Sequence, residues 1–320
     1  MDGYYISSID VQNAHFALQT CSQKLPLELL HIIAARADKR SLTQLCLANS
    51  VLGEVAATYL YRTLLFSKFS TAVRCLKTIS KHPALAKHVR TLCFQRNLPR
   101  KPNLTSAFGT LLRRALLNMP HLASLTLDAC PDGIARYLRG SPFRVKEVSL
   151  ACLWDEHVTA WLGEQPYIQR FLFYGHAPPT ISLPSSTIPN LQCIYALPSV
   201  IKRVVPGRPV TRVFVTVYSP ETFTASTVES VARSCKSSTG PISAVYLIHS
   251  TSRGASALPP VEIFEVLSSI PKYLPRLSKF SMQLSVHSWN EVKLIYDCHL
   301  SKNSNVRYPH SPYGRCCVIS

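Results

Sequence analysis

The sequence predicts a mixed α/β fold, in which a module of three short helices precedes an array of repeated strand, loop and helix units. Apolar residues recur at helical spacing between residues 24 and 66, and a short apolar pattern with the alternation of a strand recurs after residue 88. The 23 prolines among 320 residues fit many short elements, because proline ends helices and central strands. We therefore divide the chain into an N-terminal extension (1–23), a helical module (24–66), an array (67–285) and a C-terminal tail (286–320).

Pro26 marks the predicted start of the first helix. Proline suits the first helical position, because its missing N–H would lack a partner there in any case. Leu25, Leu29 and either Ile32 or Ile33 then share one face at helical spacing. This spacing predicts a helix with an apolar stripe.

Two further helices complete the predicted module. The segment 41–44 (Ser-Leu-Thr-Gln) has the form of a capping box, which predicts a helix that begins at Leu42. Leu52, Ala56 and Leu60 stack four residues apart on a third helix. Three short helices enclose little core by themselves, so the rest of the chain or a partner must cover their apolar faces.

A recurring pattern defines the array: an apolar residue, two variable residues, an apolar residue, a variable residue and an apolar residue. The middle copies begin 23 residues apart, at Leu122, Val145, Ile168 and Leu191, which lies within the roughly 20–29 residues typical of leucine-rich repeats. Alternation at the end of each copy predicts a strand. The copies are Val89/Leu92/Phe94, Leu122/Leu125/Leu127, Val145/Val148/Leu150, Ile168/Phe171/Phe173, Leu191/Ile194/Ala196, Val210/Val213/Val215, Ile242/Val245/Leu247 and Leu277/Phe280/Met282.

Repeated strand, loop and helix units predict a parallel sheet that lines a curved, irregular leucine-rich-repeat-like solenoid. Residues 108–116 have helical spacing, and Asp155 is a predicted N-cap for the helix that follows it. Wider intervals near the end of the array predict inserted helices at about residues 221–236 and 260–273. The alternative is a compact α/β domain.

The chain is strongly basic, with 35 Lys and Arg against 17 Asp and Glu and a formal net charge of +18. These charges are spread thinly, and their densest spots are pairs such as Lys39-Arg40, Arg113-Arg114 and Lys202-Arg203, with neither a basic tract nor a basic motif interleaved with aromatics. We therefore interpret the excess as a basic solvated surface and expect no nucleic-acid partner. An anionic membrane face and an acidic partner remain compatible with it.

The spacing of the cysteines and the absence of known catalytic motifs argue against several classes of function. The 11 cysteines include no Cys-x-x-Cys pair, so we expect neither a metal nor a redox site. The sequence has no phosphate-binding loop, dinucleotide fingerprint, metalloprotease motif or nucleophile elbow. Asp155, Glu156 and His157 are adjacent, but neighbouring residues on a helix point in different directions, so we interpret them as a cap and a solvated face. We predict a protein that is not an enzyme and needs no cofactor.

The N-terminal residues lack the basic start and the apolar stretch of a signal peptide, and no apolar run approaches the roughly 20 residues of a membrane span. We therefore expect a cytoplasmic or nuclear protein with reduced thiols.

The helical module resembles the F-box motif. Three segments carry the resemblance: Leu-Pro-x-Glu-Leu-Leu-x-x-Ile over residues 25–33, a break at Asp38, and Leu-x-x-Leu-x-Leu over residues 42–47. The segments 59–66 and 82–92 also resemble those that follow the F-box in many F-box proteins of mushroom-forming fungi. The direct resemblance covers about residues 24–95.

This resemblance implies a specific function. An F-box binds the Skp adaptor of a cullin-RING ubiquitin ligase, and the rest of the chain recruits a substrate protein for ubiquitin-dependent degradation. The partners would be the Skp adaptor, the cullin scaffold and a substrate that the sequence does not identify. The matching positions that would face the adaptor are Leu25, Pro26, Leu29, Ile33, Leu42 and Leu45. The alternative is that the module caps the first repeat of a scaffold without a ligase link.

The C-terminus suggests a further alternative, a prenylated membrane-associated interaction protein. The last four residues, 317–320 (Cys-Val-Ile-Ser), fit the prenylation signature, with Cys317 as the prenylated residue. Cys316 would accept palmitate as the second anchor that stable attachment requires. The net positive charge would favour peripheral contact with an anionic leaflet.

Overall fold

The computed structural model describes residues 25–95, 106–128, 130, 132–178, 183–217, 224–250, 273–274, 276–285 and 292–296. Over these residues the fold is mixed α/β, as the sequence predicts. Three helices come first, and strands that alternate with helices or loops follow them.

The helices are α1 (Leu27–Arg36), α2 (Lys39–Ala48), α3 (Ser50–Leu60), α4 (Phe69–Lys81), α5 (Pro83–Ala86), α6 (Ser106–Leu117), α7 (Glu156–Gly163), α8 (Pro198–Val204) and α9 (Ala225–Lys236), with a 3₁₀ helix at Ile134–Tyr137. The strands are β1 (Thr63–Phe66), β2 (Thr91–Phe94), β3 (Ser124–Leu127), β4 (Glu147–Leu150), β5 (Arg170–Phe173), β6 (Cys193–Ala196), β7 (Arg212–Val217), β8 (Ala244–Ser250), β9 (Lys279–Ser285) and β10 (Val292–Tyr296).

All ten strands form one sheet, in which each strand pairs with the next along the chain. The pairs from β1 to β9 are parallel, and β10 pairs antiparallel with β9. Every copy of the recurring pattern ends in one of the strands β2 to β9, which confirms the prediction of a parallel sheet.

The strand register aligns equivalent positions of the pattern. Leu92 pairs with Leu125, which pairs with Val148, and Val148 pairs with Phe171. All four side chains are buried and belong to one continuous core that extends from β1 to β9. The short strands are therefore held by a shared apolar row as well as by backbone hydrogen bonds.

Helices cover this core where the sequence predicts them. α6 contains the predicted 108–116 helix, and α9 lies within the predicted 221–236 segment. The Asp155 side chain accepts a hydrogen bond of 2.8 Å from the backbone N–H of Val158, which confirms its role as an N-cap. The predicted 260–273 helix lies almost entirely outside the described residues.

Several predicted boundaries were wrong. Pro26 is the N-cap of α1, so the helix begins one residue later than predicted. α2 begins at Lys39 rather than Leu42, because Asp38 caps it by accepting a hydrogen bond of 2.7 Å from the backbone N–H of Ser41. Residues 63–66, the last of the predicted module, form β1, which pairs with β2 in the sheet.

Arg208 is a structural feature that the sequence analysis missed. Its side chain is fully buried, and its guanidinium donates hydrogen bonds only to backbone carbonyls. The acceptors are Thr187 (2.8 Å), Val204 (2.5 Å), Pro206 (3.2 Å), Leu183 (3.4 Å) and Pro184 (2.6 Å). The arginine thus connects the segment before β6 to the end of α8.

Candidate functional site

The first candidate site is an apolar face on α1. Leu25, Leu29 and Ile33 expose 38%, 44% and 51% of their surfaces, and Leu27 and Ile32 are similarly exposed. Scattered exposed leucines are ordinary on a protein surface, but Leu29, Ile32 and Ile33 share one side of α1 at helical spacing, and Leu25 lies just before its start. Leu27 is on the opposite side of the helix and lines a different groove. We call Leu25, Leu29, Ile32 and Ile33 the α1 face.

The helical module has a small core of its own. This core consists of Leu30, Ala34, Leu42, Val55 and Ala56, and it is separate from the core beneath the sheet. The buried side of α1 is thus the one that carries Leu30 and Ala34. The predicted stripe of Leu25, Leu29, Ile32 and Ile33 faces outward instead.

A second contact orients α1 within the module. The hydroxyl of Tyr59 on α3 and Nδ1 of His31 on α1 are 3.3 Å apart and form a hydrogen bond. The two rings also meet edge to face, with centroids 5.8 Å apart. Together with the small core, this contact fixes which side of α1 faces solvent.

An open groove continues the α1 face across the module. Its volume is about 590 Å³, and Ile33 of α1, Leu45 of α2 and Leu52 of α3 supply its apolar lining. Arg36 and Gln44 also line it and are exposed. The three helices therefore present one shallow apolar surface with a polar rim, which is the anatomy of a protein-binding site.

The predicted adaptor-facing residues separate into three groups. Leu25, Pro26, Leu29 and Ile33 are exposed along α1 or at its start. Leu45 is half-buried in the groove, and it shares that groove with Ile33. Leu42 is only 5% exposed and packs inside the module, so in this structure its side chain supports the surface from beneath. The predicted lipidation residues, Cys316 and Cys317, lie outside the described residues.

The described cysteines are free thiols, and four of the seven are buried. Burial raises the pKa of Cys75 to about 11 and the pKa values of Cys152 and Cys235 to about 12. Because the thiolate is the nucleophilic form, these groups are poor nucleophiles near neutral pH. Within the described ranges, no three metal-ligating side chains come together.

The second candidate site lies on the outward face of the sheet, and sequence reasoning missed it. The ring of Tyr174, which directly follows β5, and those of Tyr195, Phe214 and Tyr246 on β6 to β8 form a row, which we call the aromatic ladder. Successive ring centroids are 5.1, 5.9 and 4.3 Å apart. The signal was present in the sequence, since Tyr195, Phe214 and Tyr246 occupy the same variable position of the recurring pattern.

A row of aligned positions, three of them cationic, runs beside the ladder. Arg170, Cys193, Arg212, Ala244 and Lys279 are aligned by the register of β5 to β9. They lie two residues before the variable position that carries the ladder, and therefore on the same face of the sheet.

The cations of this row differ in their partners. Arg170 forms an ion pair with Glu147 on β4. The Lys279 ammonium lies 5.9 Å from the centroid of the Tyr246 ring, a cation–π contact. Arg212 is exposed.

A scan against models of known protein families finds no family model that matches this chain. A search of curated proteins likewise finds no matching relative. In the described part of the chain, no helix combines the length and the apolar character that crossing a lipid bilayer requires. The functional argument therefore rests on the two surfaces.

Proposed function

We propose that this chain is the substrate-receptor subunit of a cullin-RING ubiquitin ligase. In this proposal the helical module is an F-box that binds the Skp adaptor, and the strand–helix array is a leucine-rich-repeat-like solenoid that holds the substrate. The chain then acts by proximity, because it holds the lysines of the substrate near the ubiquitin-loaded enzyme on the cullin scaffold. It performs no chemistry itself, and it works in the cytoplasm or nucleus.

The observation that carries the proposal is the α1 face. A module with its own small core leaves Leu29, Ile32 and Ile33 exposed on one side of α1, with exposed Leu25 just before the helix. Burying a leucine or isoleucine side chain fully is worth roughly 1.5–3 kcal/mol, so a partner that covers this face gains a large free energy. The residues that match the F-box motif on α1, namely Leu25, Pro26, Leu29 and Ile33, are all exposed there.

The array supports the second half of the proposal. Its strands follow chain order in one parallel sheet, and their spacing of 23 residues in the middle copies suits a leucine-rich-repeat-like solenoid. Solenoids of this kind offer long surfaces for protein binding. The outward face of the sheet, with the aromatic ladder, is the natural place for a substrate.

Co-expression with the Skp adaptor tests the proposal. The full chain should co-purify with the adaptor, and the Leu29→Glu/Ile33→Glu variant should lose it, because two carboxylates would be buried in an apolar interface. Leu117→Glu/Leu153→Glu is the matched control, since these leucines are 45% and 54% exposed and lie outside the module. This control should still bind.

Two results would contradict the proposal. If a folded wild-type chain does not bind the adaptor, the module is a cap of a non-ligase scaffold. If both double variants bind as the wild type does, the α1 face is not the adaptor site.

A further inference from the structure

Three rings of the aromatic ladder stack on one another, whereas the Tyr174 ring is tilted by 55° against that of Tyr195. Phe214 and Tyr246 stack with their planes 4° apart, and Tyr195 and Phe214 stack at 24°. Each inner ring therefore covers the faces of its neighbours. Ring edges carry the positive part of the aromatic quadrupole, so the exposed rim of the ladder favours anions.

Hydroxyl groups add hydrogen-bond donors to this rim. Tyr195 and Tyr246 are half-buried and carry one hydroxyl each. A phenolic hydroxyl donates well to a carboxylate, and a bond of this kind is stronger than one between neutral groups.

The charge on this part of the sheet has one sign. β6, β7, β8 and β9 contain Arg212 and Lys279 but no Asp or Glu. Arg170 on β5 is already paired with Glu147. Among the described residues of this row, Arg212 and Lys279 are the cations without an acidic partner, and Lys279 lies over the Tyr246 ring. A neutralising ligand must supply carboxylates or phosphates.

The spacing of the two cations restricts the ligand further. Arg212 and Lys279 lie at aligned positions on β7 and β9, with Ala244 of β8 between them. Two strand separations amount to about 10 Å. A polyproline II peptide advances roughly 3.1 Å per residue with three residues per turn, so its side chains at i and i+3 lie on one face about 9 Å apart.

We propose that the outward face of β6 to β9 binds an extended acidic peptide with carboxylates at positions i and i+3, which Arg212 and Lys279 neutralise while the tyrosine hydroxyls donate to it. The inference deepens the proposed function by naming the class of substrate segment that the array recruits. It depends on residues of the sheet and not on the helical module.

Single-stranded nucleic acid fits this face less well. Proteins that hold single strands stack successive bases on exposed aromatic faces. Here the faces of the inner rings are covered by one another, so no base can stack on Phe214. The ladder offers edges and donors, which suit carboxylates.

Fluorescence anisotropy with the full chain tests the inference. The probe is a short proline-rich peptide with two glutamates three positions apart, and the control peptide has the same composition with the glutamates adjacent. The spaced peptide should bind more tightly than the control peptide. Arg212→Gln/Lys279→Gln should weaken its binding about tenfold, as expected when two charge contacts are lost.

Matched variants separate specific contacts from net charge. Arg74→Gln/Lys77→Gln removes two exposed cations of α4 and should leave the affinity nearly unchanged. Tyr195→Phe/Tyr246→Phe keeps the ring stacking and should weaken binding about threefold, because only the donors are lost.

Four results would overturn the inference. One is an equal loss of affinity in the sheet and α4 variants, and another is equal binding of the two peptides. The third is tighter binding of a single-stranded oligonucleotide. The fourth is a gain of affinity in Glu262→Gln/Glu265→Gln. These two glutamates have the i, i+3 spacing. A gain would show that this segment of the chain itself competes with the peptide for the sheet face. Loss of adaptor binding in the module variants leaves all these measurements unaffected, so the two proposals can fail separately.

Discussion

The guanidinium of Arg208 donates a hydrogen bond of 2.6 Å from Nη2 to the backbone carbonyl of Pro184. It is one of five such bonds to carbonyls, and the side chain is fully buried. Burial lowers the pKa of Arg208 to about 10, because the buried cation loses its hydration. The carbonyl dipoles stabilise the positive charge, and these hydrogen bonds join the segment before β6 to α8.

We predict that Arg208→Met destabilises the protein. The substitution keeps most of the apolar volume but leaves buried carbonyls without donors, which costs on the order of 2–3 kcal/mol. Urea denaturation should show a lower midpoint with an unchanged slope. Arg113→Met, at an exposed position of α6, is the control and should lose much less. Equal losses in the two variants would show that the carbonyl contacts of Arg208 add little.

Leu42 and Leu29 should behave oppositely when truncated. Leu42→Ala removes a side chain from the core of the helical module and should cost roughly 2–4 kcal/mol in the free energy of unfolding. Leu29→Ala removes an exposed side chain, so it should change stability little while weakening adaptor binding. Thermal unfolding and an adaptor pull-down, applied to both variants, measure the two effects. A large stability loss in Leu29→Ala would place that residue in the core and contradict the α1 face.

Asp155 should stabilise α7 through its cap. Asp155→Ala removes the hydrogen bond to the backbone N–H of Val158 and should lower stability by about 1 kcal/mol. Asp155→Asn keeps a capping oxygen and should retain most of the stability. Chemical denaturation of the three proteins checks the order, and an asparagine variant as unstable as the alanine variant would rule out the cap as the cause.

Buried thiols should make stability depend on alkaline pH. The pKa values of Cys152 and Cys235 rise from an ordinary 9.0 to about 12, and that of Cys130 rises as well. Between these values the folded state binds more protons than the unfolded state, so stability is fully present below pH 9 and falls as pH rises above it. Urea midpoints between pH 8 and 10.5 should therefore decline less steeply in Cys152→Ala/Cys235→Ala, measured relative to its own value at pH 8. An identical decline in that variant would assign the effect to other groups.

The sheet could be predicted from the sequence because its signal is local and repeated. Each copy of the pattern places two apolar residues on one side of a strand, as at Phe171 and Phe173, and both are buried. Strand β1 was missed although Tyr61, Leu64 and Phe66 follow the same pattern, because these residues had been assigned to the helical module. Its pairing with β2 depends on a partner that comes later in the chain.

The features that sequence reasoning missed depend on contacts between distant residues. The carbonyls that Arg208 reaches on Leu183, Pro184 and Thr187 lie 21 to 25 residues before it, so nothing near Arg208 indicates its burial. The start of α2 was misplaced because two candidate caps, Asp38 and Ser41, compete, and Asp38 makes the hydrogen bond.

The sequence alone could not predict which side of α1 faces the core of the module. Helical spacing identifies an apolar stripe, but both the outward stripe with Leu29 and the inward one with Leu30 are apolar. Packing against Leu42 and Val55 selects Leu30 for the core. Of the residues predicted to face the adaptor, Leu42 is buried, and which of the others are exposed became visible only in the fold.

Hydrogen–deuterium exchange of the full chain, with and without saturating Skp adaptor, tests the central claim most directly. The proposal predicts slower exchange in peptides that cover α1 and the groove beside Leu45, with little change in β6 to β9. Leu29→Glu/Ile33→Glu should abolish that protection, and Leu117→Glu/Leu153→Glu should preserve it. Unchanged exchange throughout α1 in the presence of saturating adaptor would contradict the claim that this helix is the docking surface.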